Sequence, residues 1–114
     1  MKSEGAVLIG KIRGKIERRQ YEFSKHAVDQ SIIRNISVYE FEQAMLDRSE
    51  IIEDYPNDKY GPSCLVLGFM SNGRALHVVC TCPETGFPLK VITLYEPDSA
   101  LWINNRIRIM RNEK

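Results

Sequence analysis

The chain has 114 residues, 43% hydrophobic and 27% charged, with a formal net charge of +1 at pH 7. That is the size of one domain, typically about 100–150 residues, and an ordinary globular composition, which excludes a disordered tract and a miniprotein that needs disulfides or metal to fold. The longest apolar runs, residues 6–9 and 64–70, are too short to span a bilayer, and Lys11, Arg13 and Lys15 interrupt any leader-like stretch. The sequence therefore reads as a single cytoplasmic domain over residues 1–114, with no membrane partner.

Ile9, Ile12 and Ile16 recur at helical spacing after Val7 and Leu8, so residues 5–19 read as a basic amphipathic helix, weakened by Gly10 and Gly14. Residues 21–23 read as an extended link. Ser24 is an N-cap for a second helix over residues 25–34, with Val28 and Ile32 one turn apart, and Asn35 suits the left-handed position that ends it. Ser37 and Glu40 form a capping box for a third helix, whose buried side would carry Val38, Phe41 and Met45.

The period then changes to two. Residues 50–55, 64–70, 74–82 and 89–96 read as four strands, separated by a polar loop at 56–62, Asn72-Gly73, and a turn at 83–88. Asn72-Gly73 is a strong two-residue hairpin signal. Trp102 with Ile103, Ile107 and Ile109 suggests a tail that packs back on the domain. The expected fold is α+β, with N-terminal helices on one face of a four-stranded antiparallel sheet.

A two-residue turn would pair Phe69 with Leu76, Gly68 with His77 and Leu67 with Val78. Leu65, Leu67, Phe69, Leu76, Val78 and Cys80 would then face the helices. Val66, Gly68, Met70 and His77 would share the other, open face with Val91, Thr93 and Tyr95. Gly68 would leave a hollow beside the His77 imidazole, where a ligand can approach the strand backbone.

Charge is unevenly distributed. Residues 11–25 hold six basic side chains against two acidic, residues 38–58 seven acidic against one basic, and residues 104–114 four basic against one acidic. This suggests one face for an anion such as RNA and another for a basic partner. The three cysteines, Cys64, Cys80 and Cys82, sit in apolar runs and form no complete disulfide set, so they read as reduced core residues. Strand alternation turns His77 away from Cys80 and Cys82, and there is no Cys-x-x-Cys pair, so neither a metal nor another cofactor is expected. Nucleotide-binding and hydrolase glycine signatures are absent.

His26-Ala27, Arg34-Asn35-Ile36-Ser37, residues 50–56, Val66-Leu67-Gly68, Leu76-His77-Val78-Val79 and residues 92–97, with Trp102 behind them, form an ordered set. In that order and spacing the chain resembles a bacterial family of small domains of unknown function, DUF4258. Gln30 stands where the family commonly has arginine, and Asn35 where it has glycine. The resemblance implies a RelE-like fold, shared by small ribonuclease toxins. It also implies a small antitoxin protein as partner, often one with a zinc finger.

Metal-free RNA cleavage needs a base for the 2′-hydroxyl proton, an acid for the leaving 5′-oxygen, and cations around the phosphate. The two histidines, His77 and His26, are the candidates for acid and base; the family resemblance marks the same two positions. His26 would lie in the first turn of the second helix, where the dipole favours phosphate. Arg34, Arg74 and Lys90 are candidates for a phosphate clamp, and Tyr95 can stack on a base or donate a proton. The competing reading is a non-catalytic module that holds RNA or a protein on the same face.

Overall fold

The computed structural model describes residues 3–110. Three helices come first: α1 (Glu4–Glu17), α2 (Lys25–Ile33) and α3 (Val38–Leu46), with strand β1 (Tyr21–Phe23) between the first two. Strands β2 (Glu50–Tyr55), β3 (Ser63–Phe69), β4 (Ala75–Thr81) and β5 (Leu89–Tyr95) follow, then a short hairpin of β6 (Trp102–Ile103) and β7 (Ile107–Arg108). Ser3, Ser24 and Ser37 cap the helices through their hydroxyls, and Ser37 with Glu40 makes the full capping box. Among the described residues no helix is long and apolar enough to cross a membrane.

The architecture is α+β, with one difference from the expected sheet. Five strands run in the order β1-β5-β4-β3-β2, and the sheet is mixed because β1 lies parallel to β5. Residues 21–23 are not a link: Leu89 N–H donates to the Gln20 carbonyl and Ser24 N–H to the Val91 carbonyl, so the segment zips onto β5 as an edge strand. The core fills the helical side of the sheet, with Ile12 and Ile16 from α1 and Phe41, Ala44 and Met45 from α3 against Cys64, Val66, Leu76, Val78, Cys80, Val91 and Leu94. Val28, Ile32 and Val38 point to solvent instead. From α2 only Ala27 is buried, so that helix touches the core along a narrow stripe.

The β3–β4 register differs from the expected one by one residue. Leu67 pairs with His77, and Gly68 with Leu76. The connection has three residues rather than two. Met70 N–H donates to the Arg74 carbonyl, Gly73 N–H closes a turn on the Met70 carbonyl, and only Gly73 has a positive φ, 88°. A one-residue slip exchanges faces: Cys64, Val66, Gly68 and Met70 lie on the core side, and Leu65, Leu67 and Phe69 on the other. Gly68 is therefore no hollow for a ligand. A Cβ there would sit 2.5 Å from the Ala44 carbonyl oxygen, so glycine is what lets α3 press its backbone against β3. On β5 a bulge at Ile92 separates the pairs Val79–Thr93 and Cys80–Val91, so Val91 and Leu94 both reach the core and Ile92 does not.

Candidate functional site

The bulge in β5 shapes a cleft at the start of α2. The Ile92 carbonyl there accepts a 2.7 Å hydrogen bond from the Ser24 hydroxyl, and Ser24 Oγ in turn accepts from Ala27 N–H. The helix is thereby pinned by its N-cap to the sheet edge. Lys25 and His26 follow in its first turn, both exposed. Together with Tyr60, Thr81, Lys90 and Ile92 they line a cleft of about 400 Å³. Thr81 is turned by accepting Lys90 N–H at 3.0 Å, and Lys90 Nζ lies 2.9 Å from Glu22. The cleft thus combines a helix N-terminus, an imidazole, two ammonium groups and a phenol 57% exposed, a donor-rich setting suited to an anion.

His77 lies elsewhere. It faces away from the helices as expected, but that face is not open. The β6–β7 hairpin folds over it, leaving His77 with no exposed surface. Nε2 is 2.6 Å from the Asn105 carbonyl oxygen, and Nδ1 is 3.3 Å from the Tyr95 hydroxyl. A carbonyl can only accept, so Nε2 carries the proton and Tyr95 donates to Nδ1. Trp102 meets the imidazole edge-on at 4.5 Å between centroids, and Arg108 stacks over the indole at 4.5 Å. Burial pushes the His77 pKa below its ordinary value, against the raising effect of the Asn105 bond, so the ring is held neutral. Glu53 receives a two-pronged bond from Arg108, which holds its carboxyl below the usual range, and a 2.5 Å bond from the Tyr55 hydroxyl.

The remaining sequence candidates divide between these places. Tyr95 is brought to His77, and Lys90 to His26. Arg74 is paired with Glu96, and Arg34 bonds Gln30 Oε1 at 3.2 Å, so neither joins a phosphate clamp with Lys90. The two histidines line no common cleft; His26 belongs to the open one and His77 to the sealed layer. Sequence reasoning missed Lys25, Tyr60 and Thr81 around His26, and Glu53, Tyr55 and Arg108 around His77. The Asn104-Asn105 pair was the available signal for the hairpin: both residues have positive φ, and Arg106 N–H closes the turn on Ile103. Among the described residues no cluster of three or more His, Cys, Asp or Glu side chains is arranged to hold a metal ion. Cys64 and Cys80 pair across strands on the core side, opposite the face of His77.

Some of the charge pairs internally. Arg19 meets Glu42, Arg106 meets Glu50 at 2.5 Å, and Arg108 meets Glu53 at 2.9 Å. Three of the seven acids of residues 38–58, Glu42, Glu50 and Glu53, are thus engaged by the two basic segments. Arg111 and Lys114, the rest of the basic tail, lie outside the described residues.

No curated protein and no solved structure matches the chain. Residues 23–96 match the family described as Domain of unknown function (DUF4258), a span that includes both histidines and ends before the hairpin over His77. Because that span exceeds half of the sequence, the chain belongs to the DUF4258 family.

Proposed function

We propose that the protein is a metal-independent endoribonuclease of the toxin–antitoxin type, working at the α2 cleft. The observation that carries this reading is the placement of the one exposed histidine, His26, beside Lys25 and Lys90 at a helix start. In this reading His26 takes the 2′-hydroxyl proton and the 2′-oxygen bonds to phosphorus. The bond to the 5′-oxygen breaks, and that oxygen takes a proton from the Lys90 ammonium or from water. Lys25, Lys90 and the helix N-terminus balance the charge that builds on the phosphate. His77 and Tyr95 hold the tail hairpin instead of touching RNA. The RelE-like likeness of a small sheet-and-helix ribonuclease supports the reading by analogy of architecture. A small antitoxin would act by covering the cleft.

One observation favours a second reading. With His77 sealed and neutral, the pair of histidines that would act as base and acid is not assembled, so the same cleft would hold RNA or a protein without cutting it. Purified protein incubated with RNA decides between them. Cleavage unaffected by chelator, and reduced on the order of 10²–10⁴-fold in His26→Ala, is the expected outcome. Full activity in a folded His26→Ala protein, or no cleavage by the unaltered chain, would overturn the first reading.

A further inference from the structure

The α2 cleft is not isolated. It shares Tyr60, Thr81 and Lys90 with a neighbouring cleft of about 220 Å³ that continues past Cys82 to Phe87 and Pro88. Phe87 and Pro88 in turn wall a third cleft, about 310 Å³, together with Lys15 and Gln20. These last two residues open into a fourth, about 400 Å³, beside Lys11 and Arg18. Shared lining residues set the four side by side, a segmented trough from the start of α2 to the last turns of α1.

The chemistry along this trough repeats. Cations stand at both ends, Lys25 and Lys90 at one and Lys11, Lys15 and Arg18 at the other. Between them Tyr60 and Phe87 leave 57% and 63% of their surfaces in water. Both rings line the same groove, and Lys59 Nζ lies 5.1 Å from the centroid of the Tyr60 ring. Lys15 is only 8% exposed, yet its ammonium has no carboxylate partner among the described residues. Its Nζ bonds the Phe87 carbonyl at 2.7 Å, which ties the 83–88 turn to α1 and holds Phe87 at the trough. Two acids oppose an anion: Glu84 lines the trough, and Glu22 is paired with Lys90.

We infer that the trough binds a single strand of RNA spanning at least about four nucleotides, the lower end of such sites. Bases stack on Tyr60 and Phe87, and the backbone phosphates follow the cations from Lys90 to Lys11 and Arg18. Stacking on these rings requires unpaired bases, so the substrate class is single-stranded rather than duplex RNA. The inference rests on the reading of the α2 cleft as an RNA site, and extends it from one phosphate to a strand.

Fluorescence anisotropy with labelled 2′-O-methyl RNA, which cannot be cleaved through its 2′-oxygen, tests it. A strand of roughly 12 nucleotides should bind at least about ten-fold more tightly than a trinucleotide or than the same strand in a duplex. Tyr60→Ala and Phe87→Ala should each weaken the long strand by roughly 5- to 100-fold, the worth of one base–aromatic stack. The Lys11→Ala, Arg18→Ala double variant should flatten the salt dependence by roughly 1.4 in log–log slope, about 0.7 per lost phosphate contact. All four side chains are exposed, and thermal melting checks that the variants remain folded. Equal binding of long strand and trinucleotide, equal binding of duplex, or an unaffected Phe87→Ala protein would overturn the inference. Cleavage of unmodified RNA without any length preference would sink the trough and leave the ribonuclease standing. Length-dependent binding without cleavage would sink the ribonuclease and leave the trough.

Discussion

His26 and His77 are the only histidines of this chain, and the fold treats them in opposite ways. His26 stands exposed on the first turn of α2, in a cleft supplied with ammonium groups. His77 is shut between Tyr95 and Trp102, with both ring nitrogens engaged inside the protein. The difference is made by the layer added after residue 96. The helices cover one face of the sheet; the β6–β7 hairpin covers part of the other, and it is drawn down by Arg106 on Glu50 and Arg108 on Glu53. A histidine on the face away from the helices is therefore no guide to accessibility until the tail has been placed.

The largest effect expected from this contrast is on stability. His77→Ala removes a buried ring, leaves the Asn105 carbonyl without its donor, and takes away the edge contact of Trp102. The expected cost is about 2–4 kcal/mol, from the cavity and the unsatisfied carbonyl together. His26→Ala, at an exposed helix start, should fall within about 0.5 kcal/mol of the unaltered chain. Chemical denaturation of the two variants side by side measures both. A His77→Ala protein as stable as the parent would mean that the hairpin does not depend on the imidazole, and the two regions would differ less than their burial indicates.

Next comes the response to pH. Burial lowers the His77 pKa in the folded protein below the ordinary 6.5 that the unfolded chain would show. Between the two values the unfolded state binds more protons, so stability rises with pH there. It follows that the His77 contribution is complete above about pH 6.5 and is lost as the pH falls toward the folded value. Glu53, also depressed, acts on the same sign but only below its ordinary 4.5, so a window from about pH 5 to 7 isolates the histidine. Unfolding free energy should rise from pH 5 to pH 7 in the parent and stay flat in His77→Gln. A parallel slope in both proteins would place the titrating group elsewhere.

Local signals in the sequence carried much of the fold. Serine caps and the Ser37–Glu40 box are short-range devices, and the structure follows them closely; residues 50–55 form the expected strand, though its pairing shifts register between Ile51 and Glu53. The failures arise where one residue of register or a distant contact decides. Asn72-Gly73 is compatible with a two- or a three-residue loop, and choosing the wrong one moved Leu67 to the core face and Gly68 beneath His77. The Ile92 bulge altered which β5 residues face inward, and nothing in an alternating run marks such an insertion. For the site, His26 and Lys90 were legible as residue types at a helix start and a strand start. Their meeting across the β1–β5 edge was not, because a parallel pairing of residues 21–23 with 89–91 spans most of the chain.

The smallest effect concerns what holds the hairpin over His77. Arg108 binds Glu53 through Nε and Nη2, but its side chain is 51% exposed and that of Glu53 23%. A pair this wet is worth about 0.2–1 kcal/mol, and the stacking of Arg108 over Trp102 adds roughly 0.5–1 kcal/mol. A double-mutant cycle with Glu53→Gln and Arg108→Met isolates the ionic part, and that coupling should shrink further in salt because the pair is screened. Arg106–Glu50, with both side chains nearly half exposed, should couple no more strongly. A coupling above about 2 kcal/mol at Glu53–Arg108 would exceed what an exposed pair supplies. The hairpin would then be held chiefly by charge, and the ring of His77 would be a passenger beneath it. A coupling near zero would leave Trp102 packing and the His77–Asn105 bond as the forces that seal this histidine while the other stays open.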